Sequence, residues 1–247
     1  MKLTSFAHLL ALGFLISGTL NLRAETIFEA SFDDPVYKAG SELPRGQGKI
    51  QHGRWGGDSE NGFSALVAGE KALSGSQSLL LQRVDVSGDP AKPAKVWAGF
   101  GPDGAGNTRF TKPLSLSFAF LLNRTAGSGE GSVIFTLTGA SASTLLSVEI
   151  GSDGSVGVRH RGAFDPVGGI AADRWYFLEI IAPDPEQPGA RPAINLYEAN
   201  GAERGKLIGS VETSELPPGT TYAGFSLSNT VPESKAFFDD FQAVIRE

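Results

Sequence analysis

The sequence predicts an all-β protein, a two-sheet antiparallel β-sandwich of the jelly-roll type. Short segments that alternate apolar and polar residues recur along the chain, and this alternation is the period of a half-buried strand. The 32 glycines and 14 prolines lie between these segments rather than in one linker. No stretch keeps the apolar i, i+3, i+4, i+7 spacing of a helix for three turns. Many short strands without a helix are typical of two packed antiparallel sheets.

The first 24 residues have the pattern of a secretory signal peptide. Lys2 supplies the positive charge, an apolar run extends from Phe6 to Ile16, and the small residue Ala24 precedes Glu25. The apolar run is about half the ~20 residues that a membrane span needs. We therefore predict a signal peptide over residues 1–24 and one exported domain over residues 25–247, located in the periplasm, at the cell surface or outside the cell, without a membrane span.

Strand-like segments follow the leader at short intervals. Twelve of them occur in chain order, at residues 26–32, 77–84, 95–100, 114–122, 131–139, 145–151, 154–160, 174–182, 193–199, 207–212, 222–228 and 236–245. Turn-forming residues separate several of them. GSDG at 151–154 predicts a hairpin, whereas PDPEQPGARP at 183–192 and EANGAERG at 198–205 predict longer connections.

Charge and cysteine content narrow the functional classes. Loss of Lys2 and Arg23 with the leader lowers the net charge by two, from −6 to −8. Nucleic acids and anionic membranes repel such a chain, so we expect neither as a partner. The sequence contains no cysteine, which excludes disulfides, thiol catalysis and cysteine metal sites. The domain must be held together by its core.

Several stretches resemble the concanavalin A-like, laminin-G-like jelly rolls of secreted bacterial proteins. IFEASFDD is similar to their opening strand, and GEKALSGSQSLLLQR is similar to a Gly-Ser turn that leads into the next strand. AGFSLSNT followed by AFFDDFQAV resembles their closing hairpin with its paired aspartates. The resemblance covers residues 25–247 and implies a jelly roll whose ligand, where it has one, is a polysaccharide or cell-surface glycan.

The segment from Val36 to Gly57 admits two interpretations. Its glycines and Trp55 resemble a stretch that wraps around a sheet end in these jelly rolls. Tyr37 and Trp55 would then be plugs, that is, side chains buried where the segment covers the end of the sheet. The alternative is the active site of a glycoside hydrolase or polysaccharide lyase. That site would be built from four polar side chains: Tyr37, Arg45, His52 and Arg54.

Catalytic patterns of correct order and spacing are missing. The Tyr37-Lys38 pair resembles the Tyr-Lys strand of jelly-roll lyases, but that strand lies near their C-terminus, and Gln51 directly precedes His52 instead of being one residue further away. Glycosidases of this fold carry E-x-D-x-E on one strand. Here Glu149 and Glu179 stand alone, and we interpret both as solvent-facing strand residues. We predict no catalytic residue and favour a non-catalytic glycan-binding or structural module over the enzyme.

The strand positions of two tryptophans predict whether each side chain is exposed or buried. In KVWAGF, Trp97 lies opposite Val96, Ala98 and Phe100, so it faces outwards if those three face the core. Exposed tryptophans stack on the apolar face of sugar rings, which makes Trp97 the predicted ligand-binding residue. The alternative is that a loop covers it. Trp175 resembles the buried tryptophan that begins a central strand in laminin-G-like domains, and we expect it in the core.

Paired aspartates near both ends of the chain predict a calcium site. Asp33 and Asp34 end the first strand, and Asp239 and Asp240 lie in the last. In the resembling jelly rolls these strands can pair, which would bring the carboxylates together, and calcium takes six to eight oxygen ligands. We predict Asp33, Asp239 and Asp240 as ligands, although strand alternation sends Asp239 and Asp240 to opposite faces. The alternative is that the aspartates cap turns or lie in water.

Overall fold

A computed structural model describes residues 24–33, 36–43, 53–57, 64–82, 94–101, 108–124, 130–160 and 162–246. The predicted leader lies outside these ranges except for Ala24, so export and cleavage stay predictions. Within the described ranges, no helix is long and apolar enough to cross a membrane. The one helical segment there is a 3-10 turn at Ala140–Ala142.

The described residues form fifteen strands. In chain order they are β1 (Glu25–Ala30), β2 (Gly53–Gly57), β3 (Ser64–Ala68), β4 (Ser78–Gln82), β5 (Ala94–Phe100), β6 (Leu114–Asn123), β7 (Ser132–Thr138), β8 (Thr144–Gly151), β9 (Ser155–His160), β10 (Ala163–Gly169), β11 (Trp175–Ala182), β12 (Ala193–Asn200), β13 (Glu203–Glu212), β14 (Gly224–Asn229) and β15 (Lys235–Ile245).

The strands build two sheets. The eight-stranded sheet has the order β13-β12-β11-β6-β15-β4-β3, and β1 also pairs with β15. The seven-stranded sheet has the order β10-β9-β8-β7-β14-β5-β2. The paired strands described in both sheets are antiparallel. The predicted all-β, two-sheet antiparallel sandwich is therefore confirmed.

The core lies between the sheets and is rich in phenylalanine. Phe225 on β14 stacks on Phe241 on β15, with ring centroids 5.3 Å apart and planes 9° from parallel. Phe118 on β6 stacks on Phe135 on β7 at 4.9 Å. Each pair joins one sheet to the other. Burying aromatic side chains of this size contributes strongly to stability, which suits a chain without disulfides.

Three strands were not predicted, and all three lie at the ends of the strand orders. β2 reads GRWGG and β10 reads AFDPVGG, so glycine and Pro166 hide the alternation. β3 has five residues. Edge positions tolerate glycine and proline because one side of the strand makes no ladder hydrogen bonds. Glycine and proline at the edge positions therefore hid β2 and β10 from the pattern search.

Two turn predictions have different outcomes. GSDG does connect a hairpin, because β8 ends at Gly151 and pairs with β9, which begins at Ser155. Gly154 has φ of +90°, a conformation that glycine adopts without strain. The connection at 198–205 is shorter than predicted. β12 continues to Asn200 and β13 begins at Glu203, so Gly201 and Ala202 form the whole turn.

The segment around β2 is structural where it is described. Trp55 is 2% exposed, and its Nε1 donates a hydrogen bond to the Tyr37 hydroxyl at 3.1 Å. Its ring packs edge-on against Phe28, with centroids 5.3 Å apart. Tyr37 is also buried. The interpretation of both residues as plugs is confirmed.

A second, smaller apolar cluster lies on the outer face of the eight-stranded sheet. Leu80, Phe237, Leu121 and Trp175 follow one another across β4, β15, β6 and β11 in the strand register. Trp175 is half-buried there and packs against this cluster. The prediction that Trp175 lies in the main core is wrong, because its neighbour Tyr176 takes the inward position of β11 and alternation turns Trp175 outwards.

Candidate functional site

Trp97 lies on the outer face of the seven-stranded sheet. Its neighbours Val96, Ala98 and Phe100 are buried in the core, whereas Trp97 is 42% exposed. The orientation agrees with the one that strand alternation predicts, and at this exposure none of the described loops encloses the indole. Its role as a ligand residue stays a prediction.

Hydroxyl side chains continue from Trp97 across the sheet. The register places Trp97 opposite Ser226 on β14, Ser226 opposite Thr136 on β7, and Thr136 opposite Ser147 on β8. The hydroxyls of Thr136 and Ser147 are 3.3 Å apart. One aromatic ring and three hydroxyls thus form a row perpendicular to the strands.

A groove of about 590 Å³ lies beside Trp97. Its floor is low because Gly99 and Gly224 pair with each other and have no side chains. A Cβ on Gly224 would come within 2.2 Å of the Ala98 carbonyl oxygen, so the backbone requires glycine there. One wall is the 3-10 turn, in which Ser141 and Ala142 have φ of 57° and 56°. The volume is in the range of small-ligand sites.

The groove is positively charged although the protein is acidic. Lys95 on β5 and Arg109 are among its lining residues, and none of its described lining residues is an aspartate, glutamate, histidine or tyrosine. Arg109 was not predicted. It is placed by an antiparallel bridge between Phe110 and Tyr222, a long-range contact that the local sequence does not indicate.

The same outer face continues to β10. Arg159 on β9 binds Glu149 on β8, and its guanidinium lies 5.8 Å from the ring centroid of Phe164. The hydrogen bond from Arg159 holds the pKa of Glu149 below its ordinary value, although burial opposes this shift. Glu149 lies on the outer, solvent-side face as predicted, but it is half-buried and ion-paired. Five strand steps of about 4.8 Å separate Trp97 from Phe164, or about 24 Å.

The predicted calcium residues converge on one loop. β1 pairs with β15, and the loop at residues 69–77, which we call the clasp loop, lies beside both. Asp33 accepts a hydrogen bond from the Ser76 amide at 2.8 Å. Asp239 is fully buried, and its Oδ2 accepts bonds from the amides of Leu73 and Ser74 at 3.0 and 3.2 Å. Burial and the charge of Asp240 raise the pKa of Asp239 to about 7.

Asp239 and Asp240 do not point to opposite faces of the sheet as alternation predicts. The pairing of β15 with β6 shifts register between Asp239 and Gln242, and Asp240 has φ of 50°. This bulge lets Asp240 accept a hydrogen bond from the Ser74 hydroxyl at 2.7 Å, on the same clasp loop. These contacts correspond to the turn-capping alternative.

Calcium stays a prediction. Within the described ranges, no group of three or more His, Asp or Glu side chains is arranged to hold a metal ion. Asp34 lies outside the described residues. The three carboxylates that we predicted as ligands all accept hydrogen bonds from the clasp loop.

The alternative active site is not assembled by the described residues. Tyr37 is 5% exposed and lies in the core, where a polysaccharide cannot reach it. Arg45 and His52 lie outside the described residues. Arg54 belongs to β2, and its side chain is not described. His160 ends β9, and its side chain is likewise outside the description.

No protein-family model matches the sequence, and a search of curated proteins finds no relative. Solved structures do share the fold. The chain is similar to an alginate lyase from Aplysia kurodai, with a TM-score of 0.53 at 10% identity over 90% of this chain and 99% of that one. It is also similar to the Emp47p carbohydrate recognition domain (TM-score 0.49, 9% identity, 92% and 99% covered) and to lectin I from Ulex europaeus (0.43, 13%, 75% and 93%). The fold is a concanavalin A-like jelly roll, as the resemblance implied.

Proposed function

We propose that this protein is a polysaccharide-binding module and that its ligand lies on the outer face of the seven-stranded sheet. The observation that carries the proposal is Trp97, an exposed indole beside a groove of about 590 Å³. A tryptophan ring matches the apolar face of a sugar, and hydroxyls beside it match the polar rim. The similarity to an alginate lyase supports a polysaccharide as the ligand, although it does not distinguish binding from cleavage.

The ligand that fits this face is an extended, anionic polysaccharide. The outer face extends about 24 Å from Trp97 to Phe164, which suits several consecutive sugar units better than one terminal sugar. Lys95 and Arg109 favour negatively charged sugars, because opposite charges at a partly desolvated groove attract more strongly than in water. Export, predicted from residues 1–24, would give this face access to extracellular polysaccharides.

Binding is favoured over cleavage by what lines the groove. Cleavage of a glycosidic bond needs a general acid or base within reach of the reacting atoms. The described lining residues offer no carboxylate, imidazole or phenol for this purpose, and Lys95 is exposed, whereas lysine bases are found in buried sites. The enzyme alternative therefore has no described group to carry it.

Titration of the purified protein with uronic-acid polysaccharides and neutral glucans tests the proposal. Trp97→Ala should weaken binding about tenfold or more, which is about 1.4 kcal/mol. Leu207→Ala is the matched control, because Leu207 is 47% exposed and lies on the other sheet. Affinity for the anionic polymer should fall as salt is added.

Two results would contradict the proposal. Equal affinity of the Trp97→Ala and wild-type proteins would show that Trp97 does not contribute to ligand binding. Release of unsaturated or reducing ends from a bound polysaccharide by the wild-type protein would replace the binding module with the enzyme alternative.

A further inference from the structure

A second polar row crosses the opposite side of the molecule, on the outer face of the eight-stranded sheet. The register places Glu29 opposite Gln242, Gln242 opposite Ser117, Ser117 opposite Glu179, and Glu179 opposite Asn195. The row therefore extends over β1, β15, β6, β11 and β12. The core separates it from Trp97, so it is independent of the polysaccharide face proposed above.

Glu179 is the buried centre of this row. It is 7% exposed, and its Oε2 accepts hydrogen bonds from Asn195 Nδ2 and from the Tyr197 hydroxyl, both at 3.1 Å. Its Oε1 accepts a hydrogen bond from Arg204. Burial alone would raise the pKa of Glu179, but the bonds from Asn195, Arg204 and Tyr197 outweigh it and hold the pKa below its ordinary value. The interpretation of Glu179 as a solvent-facing residue is wrong.

This network fixes the guanidinium of Arg204. The group is paired with Glu179 on one side and lies 5.8 Å from the ring centroid of Tyr197 on the other. The arginine side chain is still 37% exposed. A guanidinium has five N–H donors, and holding it in place reduces the entropy that a ligand must overcome to use them.

Arg204 lines a groove of about 300 Å³. Ser117, Gln242, Glu29 and Asp240 also line it, and Phe177, which is 6% exposed, contributes a small apolar contact. Donors and acceptors are therefore mixed around one aromatic contact. The volume is at the lower limit for small-molecule sites, which restricts the ligand to about one ring.

The charges around this groove exclude strongly charged ligands. Glu29 and Asp240 would repel an anion, and Arg204 would repel a cation. A neutral molecule with several hydroxyls can donate to the carboxylates and accept from the guanidinium at the same time, with its C–H face against Phe177. We propose that the groove between Arg204, Ser117 and Gln242 is a second carbohydrate site that binds one neutral sugar residue.

The Tyr197 hydroxyl is occupied as a donor to Glu179, and burial and the charge of Glu179 raise the pKa of Tyr197. Tyr197 therefore positions Arg204 and does not act as a base.

Amide chemical shifts recorded during titration with methyl glycosides of glucose, galactose and mannose locate such a site directly. Shifts should concentrate on β6, β13 and β15 around Ser117, Arg204 and Gln242. Gln242→Ala should weaken binding about tenfold. Gln242 is exposed, so this variant should fold even if Arg204→Met, which leaves Glu179 without its cation, does not.

Two matched controls separate this groove from other surfaces. Lys206→Met removes a cation from the same strand without altering the groove lining, and Trp97→Ala removes the proposed stacking residue of the other face; both should keep the wild-type affinity for the glycosides. The proposal is overturned if no glycoside shifts these amides at tens of millimolar, if the shifts lie on the Trp97 face, or if Gln242→Ala binds as the wild type does.

Discussion

Trp55 and Trp97 lie on neighbouring strands of one sheet and face opposite ways. Trp55 on β2 pairs with Ala98, and the next residue, Gly56, pairs with Trp97 on β5. One step in register thus separates a tryptophan that is 2% exposed from one that is 42% exposed. The comparison shows that strand alternation, and not residue type, decides whether an indole here stabilises the core or is available to a ligand.

Replacing each of the two tryptophans with alanine should give the largest difference in the free energy of unfolding. Trp55→Ala should lower the free energy of unfolding by about 3–5 kcal/mol, because it leaves a cavity among Phe28, Phe225 and Phe241. Trp97→Ala should change it by no more than about 0.5 kcal/mol. Urea denaturation of both variants measures the difference. Similar losses in the two variants would break the comparison, because Trp97 would then also belong to the core.

The outer faces of the two sheets contrast in a similar way. On the seven-stranded sheet, Glu149 is paired with Arg159, whose side chain is 51% exposed. On the eight-stranded sheet, Glu179 has three partners and a side chain 9% exposed. Solvent screens the electrostatic attraction between Glu149 and Arg159, but it screens the more buried pair of Glu179 and Arg204 much less.

Replacing each glutamate with glutamine should show how differently the two ion pairs contribute to stability. Glu179→Gln should destabilise the fold by about 2–3 kcal/mol, below the ~3–5 kcal/mol of a fully buried pair because Arg204 is partly exposed. Glu149→Gln should cost less than about 1 kcal/mol. Thermal and urea unfolding at neutral pH provide the measurement. A larger loss for Glu149→Gln would contradict the contrast, because the more exposed ion pair would then contribute more to stability.

The local sequence pattern was sufficient to predict the direction of the Trp97 side chain, but it did not indicate the site around Arg204. The alternation of KVWAGF lies within one strand, so it predicts the direction of Trp97. The cluster around Glu179 depends on the register of three strands, which places Asn195 beside Glu179 and brings β13 alongside β12. The alternation of Asn195 and Tyr197 on one strand is the only local sign of it.

The strands near the two ends of the chain also show how far local sequence could predict the structure. The resemblance of IFEASFDD and AFFDDFQAV to jelly-roll strands indicated that β1 and β15 pair, and they do. It did not indicate the bulge, because a register shift at Asp240 depends on how β15 meets β6. The bulge is what brings Asp239 and Asp240 to one loop.

The buried carboxyl of Asp239 should give an effect of a different kind, a dependence of stability on pH. Its pKa is raised from 3.8 to about 7, chiefly by burial. Between about pH 4 and pH 7 the folded state holds a proton that the unfolded state has lost, so this group's contribution to stability falls as the pH rises and is constant above about pH 7. Glu149 and Glu179 have lowered pKa values, so their opposite contributions are confined to pH values below 4.5.

Asp239→Asn should remove this slope, because an amide does not ionise. Asp33, whose carboxylate also accepts a hydrogen bond from the clasp loop, supplies the matched control, and Asp33→Asn should keep the slope. The free energy of unfolding of each protein is measured by urea denaturation from pH 5 to pH 8 at fixed ionic strength. A slope that persists in Asp239→Asn would assign it to another group. Repeating the series in millimolar calcium and in excess chelator tests the predicted metal. A bound cation would favour the carboxylate, lower the pKa of Asp239 and flatten the slope in calcium alone, whereas equal slopes would leave the clasp loop held by hydrogen bonds.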